Sequence, residues 1–363
     1  MNKQRSTIVG LQHLRGIAAL LVVIDHASGM MAEQFLWTPP PLDLLRFGWI
    51  GVDIFFVISG FIITLTAFDG PRLTPRVDKW EFFANRAVRI LPLLWIVVIA
   101  YAVLRGFTGK FDDLDASIRA FFLFPIGEVR PNVVWTLRHE LLFYTVFALT
   151  QFSKPWARPI LWLWFISPLL LWAIQAGAGV TIRTNEIASF VFHPANIEFG
   201  AGFVAGVLYL RSSSFVTGFR LGGLPTLYVA SGVTFLISAR LNLHGVSLPG
   251  AAILCLLGAV LVAIALGVKD GPGRLSSMSR LIGDASYSLY LTHGIAILAL
   301  LSVWQAAGLP RIPIMIEIVA VLVAIIAGIF VHLCVERPLL KLARARMRTI
   351  FPRQNAQLPE GGS

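Results

Sequence analysis

About ten stretches of this chain are each long and apolar enough to cross a bilayer, and that repetition restricts the fold before any motif is read. They run over 8–30, 47–67, 86–105, 132–152, 158–176, 187–210, 224–240, 249–268, 281–306 and 313–335. Hydrocarbon offers no hydrogen-bond partners, so each segment must satisfy its own backbone N–H and C=O groups, as a helix does. The apolar residues are continuous and do not alternate, which speaks against a β-barrel. Only 13% of the 363 residues are charged, about half the share found in a soluble domain, and the mean hydropathy is +0.76. The sequence therefore predicts an all-α fold, a polytopic transmembrane helix bundle within residues 1–345, followed by a polar, disordered tail over 346–363.

The loops orient the bundle. Lys3 and Arg5 precede the first run, and Arg72, Arg76, Lys79, Arg86 and Arg89 lie between the second and the body of the third. Every second loop after that is basic again: Lys154 and Arg158, Arg211 and Arg220, then Lys269, Arg274 and Arg280. Lys341, Arg344, Arg346, Arg348 and Arg353 close the chain, whereas an intervening loop carries Asp112, Asp113 and Asp115. Basic loops stay on the cytoplasmic side, so both termini are predicted to be cytoplasmic, in a multi-pass protein of the plasma (inner) membrane. The same rule accounts for the net charge of +11 with no nucleic acid as partner. The first run is too long for the core of a cleaved signal, contains Arg15 and lacks a small-x-small site, so it is predicted to be retained. Cys255 and Cys334 sit inside apolar runs and read as small buried hydrophobes rather than a disulfide or metal framework.

A charge near the bilayer centre costs about 2.5–3.5 kcal/mol on insertion scales, so each polar residue inside these runs asks for a role. The first run carries Arg15, Asp25 and His26. Arg15 and His26 are separated by roughly three helical turns, so they share a face and stand ~16 Å apart along the axis. On the predicted orientation Arg15 lies toward the cytoplasm and His26 toward the outside. His26 reads either as an interfacial imidazole or as a general base, the side chain best suited to accept a proton near neutral pH. Asp25 points about 100° away from it. Glu140, in the run from Trp135 to Tyr144 (WTLRHELLFY), enters from the outside and is predicted at the depth of His26. There it would orient the imidazole and stabilise its protonated form; the alternative is a structural pair with Arg138 or another helix cation.

Arg86 and Arg89 are three residues apart, hence on one face, at the predicted start of the third helix and just before Pro92. Guanidinium forks and the free N–H groups of a helix N-terminus suit phosphate; the competing reading is topology and lipid head groups. Asp53 is a lone acid among Gly48, Gly51 and Gly60, placed either to neutralise an arginine of a neighbouring helix or to line a substrate route. Tyr287, Tyr290 and His293 form a strip at i, i+3, i+6, and Asn196 with Glu198 makes a second intramembrane polar site. Both read as substrate-lining or as interhelical hydrogen bonding. His332 and Glu336, at the end of the tenth run, read as structural. The sequence has no metal-ligand or Gly-rich phosphate motif.

Taken in order, these stretches resemble the acyltransferase-3 family of membrane acyltransferases. The likeness runs through Leu14-Arg15-Gly16 with Asp25-His26, Gly48–Phe61 (GWIGVDIFFVISGF), Phe83 with Arg86-x-x-Arg89-x-x-Pro92, Trp135-Thr136-Leu137 with Glu140 and Phe143-Tyr144, Ser286–His293 (SYSLYLTH) and Val335-Glu336-Arg337-Pro338. Trp-Thr-Leu-x-x-Glu and Asn196–Gly200 (NIEFG) look closest to the branch that acylates exopolysaccharides. The resemblance implies a ten-helix acyltransferase domain over residues 1–345 that moves an acyl group, often acetyl, from cytoplasmic acyl-CoA to a hydroxyl of a cell-surface glycan or lipid-linked sugar. It implies that Arg15 and His26 are the family's essential arginine and histidine, and that Arg86 and Arg89 bind the CoA phosphates. Acyl-CoA, acetyl-CoA above all, would be the co-substrate, with no metal. The glycan, the lipid bilayer and polysaccharide-assembly proteins would be the partners.

Asp25 departs from the family, which usually has an aromatic or neutral residue before the histidine, and the hydrolase-like domain appended in some members is not expected. Within this reading His26, oriented by Glu140, would deprotonate a sugar hydroxyl for direct attack on the thioester; an acyl-histidine intermediate is the other route. Trp135, Asp53, Tyr287, Tyr290, His293, Asn196 and Glu198 would line the substrate path. A transporter or flippase would use the same charges as relay and counter-ions, but the sequence has no inverted repeat and no paired broken helices. A scaffold subunit would need no buried charges.

Overall fold

The computed structural model describes residues 8–35, 44–107, 114–179, 185–212, 223–245, 247–269, 271 and 273–351. Among them ten long helices follow the ten predicted runs: α1 (Val9–Phe35), α2 (Ile50–Ala67), α3 (Lys79–Phe107), α4 (Val134–Gln151), α5 (Arg158–Ala178), α6 (Ala195–Arg211), α7 (Leu224–Arg240), α8 (Leu248–Gly267), α9 (Ser286–Ala306) and α10 (Pro313–Val331). Eight helical segments are long and apolar enough to cross a membrane. The two predicted spans outside that set are α4 and α7. α4 carries Arg138, His139 and Glu140 in consecutive positions, which lowers its apolar content. α7 has 17 residues, about 26 Å of helix against a hydrocarbon core of about 30 Å. The described strands, Phe68–Asp69 and Thr74–Pro75, form a short antiparallel hairpin after α2.

α1 runs through the interior, touching α2, α8, α9, α10 and the short helix Arg274–Asp284. In lipid there is no hydrophobic drive between helices, so they are joined by close backbone approach and dispersion. Gly51 lets α2 rest on α1, since a Cβ there would lie 2.2 Å from the Ala18 carbonyl oxygen. α2 and α6, the most extensively joined pair, meet through Gly60 and Gly202. Aromatic rings fill the space beside them: Phe143 and Phe199 stack with centres 4.2 Å apart, and Phe82 and Phe147 at 5.4 Å. Ile99, Leu163, Val260 and Phe330 are exposed on the outer surface, as expected of positions a bilayer covers.

Three helix boundaries differ from the sequence reading. α3 begins at Lys79 because Asp78 caps it: its Oδ1 accepts from the N–H groups of Trp80 at 2.7 Å and Glu81 at 2.9 Å. Arg86 and Arg89 therefore stand about two turns or more inside the helix, and no free helix N-terminus assists them. The ninth run breaks at Ala285, between the helix Arg274–Asp284 and α9. The tenth continues through a π turn, His332–Glu336, into α11 (Arg337–Ile350). Residues 346–350 are thus helical rather than part of a tail. Residues 352–363 lie outside the described residues, as do Lys3, Arg5, Asp112, Asp113 and Arg220.

Candidate active site

Five helices enclose a cavity of about 780 Å³, its open mouth included. α2 supplies Val52, Phe55, Phe56, Ser59 and Ile62, a three-to-four-residue spacing that keeps them on one face. α1 contributes Arg15, and α3 contributes Arg86, Arg89 and Ile90. α4 adds Thr136, Leu137, Glu140 and Tyr144, and α9 adds Ser286, Tyr287 and Tyr290. The charged lining is three arginines against one glutamate, which leaves the cavity positive.

Glu140 is held from two helices. Ser59 of α2 donates its hydroxyl to Oε1 at 3.3 Å, and Tyr144, one turn along α4, donates its own. Arg15 and Arg86 both lie in the field of this carboxylate. The Arg86 guanidinium sits over the rings of Phe82 and Tyr144, 5.6 Å from each centre, and donates to Thr66 Oγ1 at 2.5 Å; its buried Nε has no partner among the described residues. Arg15 donates to Gln12 Oε1 at 3.3 Å. Arg89 lines the same cavity in the field of Glu336. Glu336 in turn accepts from Ser288 at 2.6 Å and from His332 Nδ1 at 2.7 Å, across the π turn. Tyrosines on α9 lock the frame: Tyr287 donates to the Ile90 carbonyl at 2.7 Å, and Tyr290 shares a hydrogen bond with Thr136 at 2.8 Å.

His26 lies beyond this cavity. The Tyr290 ring, part of the cavity wall, is 6.0 Å from that of His293, which is 4.8 Å from that of His26. The His26 side chain is 32% exposed, so a molecule outside the bundle can reach it. Its Nδ1 is 3.0 Å from the Val22 carbonyl. A carbonyl oxygen only accepts, so Nδ1 carries the hydrogen and Nε2 keeps a free lone pair, the state a base requires. Asp25 Oδ2, at 3.7 Å from Nδ1, is outside hydrogen-bonding range.

The expected Glu140–His26 pair is not formed. The cause is depth along α4: Thr136 is level with Tyr290, and Glu140, a turn further in, descends to Arg15 and Arg86. Tyr287 and Tyr290 line the cavity, whereas Asp53, Trp135, Asn196, Glu198 and His293 do not. Among the described residues Asp53 meets no arginine. The face of α2 that bears it packs on α6 and α8, where its carboxyl meets that of Glu198 and lies over Gly245. The Asn196 amide donates to the Val191 carbonyl at 2.9 Å, and Trp135 packs against His139 and His193 with ring centres 5.5 and 6.0 Å away. Ser59, Thr136, Tyr144 and Ser286 are the polar lining residues to which sequence reasoning assigned no role. Tyr144 had a signal, its i+4 spacing from Glu140.

A family model described as an acyltransferase domain matches residues 8–334, a span that includes every residue of the cavity and His26. The chain belongs to that acyltransferase family. This acyltransferase is 34% identical over 326 residues to the exopolysaccharide production protein ExoZ of Rhizobium meliloti (strain 1021), covering 83% of this chain and 92% of that protein. It is 25% identical over 323 residues to nodulation protein 10 of Rhizobium leguminosarum bv. viciae, 80% of this chain and 83% of that one. O-acetyltransferase OatA of Staphylococcus aureus (strain NCTC 8325 / PS 47) is 24% identical over 383 residues, 92% of this chain but 57% of OatA. No solved structure gives a significant match. With eight candidate membrane spans, the acyltransferase is a multi-pass membrane enzyme.

Proposed function

We propose that this enzyme O-acylates a cell-surface polysaccharide or its lipid-linked precursor, taking an acetyl group from acetyl-CoA on the cytoplasmic side of the plasma (inner) membrane. One observation carries this reading: a cavity with Arg15, Arg86 and Arg89 on one side of Tyr290 and an accessible imidazole on the other. A CoA diphosphate is polyanionic and cannot enter a bilayer, and three arginines fit it as a fork-and-charge site. The basic loops support a cytoplasmic orientation of that end of the bundle. The likeness to an exopolysaccharide production protein supports a glycan acceptor.

In this mechanism the arginines hold the phosphates while the thioester arm extends past Tyr290 toward His26. His26 Nε2 takes the proton of a sugar hydroxyl, whose oxygen attacks the thioester carbonyl. The new O–C bond forms, the C–S bond breaks, and the proton returns to the sulfur. Glu140 balances the buried guanidinium charges instead of orienting the base. The test is transfer from radiolabelled acetyl-CoA to exopolysaccharide by purified protein in nanodiscs, alongside mass spectrometry of glycan from cells with and without it. Transfer that disappears in a stably inserted His26→Ala variant supports the reading. Absence of both transfer and acetyl-CoA hydrolysis in the wild type overturns it in favour of transport, and normal acylation by His26→Ala removes His26 from the chemistry.

A further inference from the structure

Six side-chain hydroxyls line the cavity, and five of them are engaged by the protein itself. Ser59 and Tyr144 donate to Glu140, Thr136 and Tyr290 bond to each other, and Tyr287 donates to the Ile90 carbonyl. Ser286 is the exception. It is fully buried, and its Oγ has no partner among the described residues. Ser286 and Tyr290 are four residues apart on α9, so they share the face that forms the cavity wall. A hydroxyl is costly to bury without a partner. In the wall of a cavity it is a donor left open for what the cavity holds.

The fold brings this hydroxyl to Arg15. The chain breaks at Ala285, between the helix Arg274–Asp284 and α9. Just before the break Gly283 rests on α1, where an added Cβ would lie 1.9 Å from the Gln12 carbonyl oxygen. Arg15, almost one turn along from Gln12, lies in the field of Asp284 and lines the same cavity as Ser286. The reacting end lies further out. His293, which packs on His26, is seven residues along α9 from Ser286, about 10 Å of helix. Over that distance a serine hydroxyl cannot reach a thioester held at His26. The anionic part of the donor is what lies at its own level. A phosphate oxygen accepts several hydrogen bonds, and a neutral O–H beside a guanidinium adds one without adding charge.

We infer that Ser286 is a donor-binding residue: its hydroxyl donates a hydrogen bond to a phosphate oxygen of acyl-CoA on the Arg15 side of the cavity. This rests on the acyl-CoA reading above. CoA carries phosphate in two places, the diphosphate and the ribose 3′-phosphate, and either supplies the acceptor oxygen. Ser286 is not a nucleophile in this role, and no bond to it forms or breaks.

Binding and structure are separable at this position, because the hydroxyl has no partner until the donor arrives. Wild type and Ser286→Ala in nanodiscs are titrated with radiolabelled acetyl-CoA, with exopolysaccharide from cells lacking the enzyme as acceptor. The expected result is an acetyl-CoA KM about tenfold higher, the size of one hydrogen bond to a charged group, with kcat within about twofold. In thermal unfolding without donor, Ser286→Ala should melt at or above the wild-type temperature, since the change removes an unpartnered hydroxyl. Added acetyl-CoA should raise its melting temperature less than it raises that of wild type. Competition by CoA and by 3′-dephospho-CoA identifies the phosphate. Weakening of both by Ser286→Ala assigns the diphosphate, and weakening of CoA alone assigns the ribose phosphate. An unchanged acetyl-CoA KM overturns the inference, and so does a Ser286→Ala protein that melts lower without donor or fails to insert. In either case acetyl-CoA binding by the wild type leaves the donor reading intact. A wild type that does not bind acetyl-CoA overturns both.

Discussion

The hydroxyl of Tyr287 donates to the backbone carbonyl of Ile90 at 2.7 Å, and this bond ties α9 to the helix that carries Arg86 and Arg89. Ile90 follows Arg89 directly, so the contact sets how far the arginine pair reaches into the cavity. Tyr287→Phe keeps the ring and removes the bond, worth about 1 kcal/mol. The acetyl-CoA KM is expected to rise about fivefold with a smaller change in kcat. Initial rates over a donor titration measure it, and an unchanged KM would show that the arginines are positioned without Tyr287.

Arg89 and Arg86 are expected to respond differently to lysine. Arg86 is held over two aromatic rings and bonded to Thr66, interactions that a compact ammonium does not reproduce. Arg86→Lys should therefore resemble Arg86→Ala, with the donor KM up by about tenfold or more, which is ~1.4 kcal/mol. Arg89→Lys should fall between wild type and Arg89→Ala, because charge is most of what Arg89 provides. Donor titrations at low and high ionic strength read both effects, since the charge contribution is screened by salt. A donor KM indifferent to all four substitutions would place the CoA phosphates elsewhere.

Glu140→Gln separates charge from hydrogen bonding. The amide oxygen can still accept from Ser59 and Tyr144, but the counter-charge to Arg15 and Arg86 is lost. Leaving buried cations less compensated costs about 1–3 kcal/mol, so the detergent-solubilised variant should melt at a lower temperature. Bound acetyl-CoA brings its own negative charge and should recover more of the melting temperature in this variant than in wild type. Transfer should persist at a reduced rate, in contrast to its loss in His26→Ala. Complete loss of kcat from a stable Glu140→Gln protein would return Glu140 to the proton chemistry.

The α2–α6 contact sets the frame behind the cavity wall. A Cβ added at Gly202 would come within 1.9 Å of the Val57 carbonyl oxygen, whereas one added at Gly177 in α5 meets nothing within 4 Å. Gly202→Ala must push backbone apart and should cost about 1–3 kcal/mol. Gly177→Ala should change stability by less than about 0.5 kcal/mol. Thermal unfolding of the two variants in detergent provides the comparison, and equal stability would mean that α2 and α6 can slide apart freely.

What the sequence could reveal followed from one solvent rule. Hydrocarbon makes each apolar run a helix and each intramembrane charge conspicuous, so Arg15, His26, Arg86, Arg89 and Glu140 stood out with no structure in hand. The start of α3 was misplaced because apolar content marks the membrane portion of a helix, while its end is set by a cap, here Asp78. Asp53 was misassigned because a charge in an apolar run announces a need for a partner without saying which neighbour meets it.

The order and class of the helices, the acyltransferase signatures and the costly polar residues were all determined by the sequence alone, since each depends on local composition and spacing. Only the tertiary structure decided who meets whom. Depth read along isolated helices carries an error of about a turn, enough to move Glu140 from His26 to the arginines. Ser59 reaches Glu140 from 81 residues away, and His293 comes to His26 from the other end of the chain. Helix rotation and relative height are set by close packing at glycines such as Gly51, Gly60 and Gly202, and that packing is a property of pairs of helices that no single segment encodes.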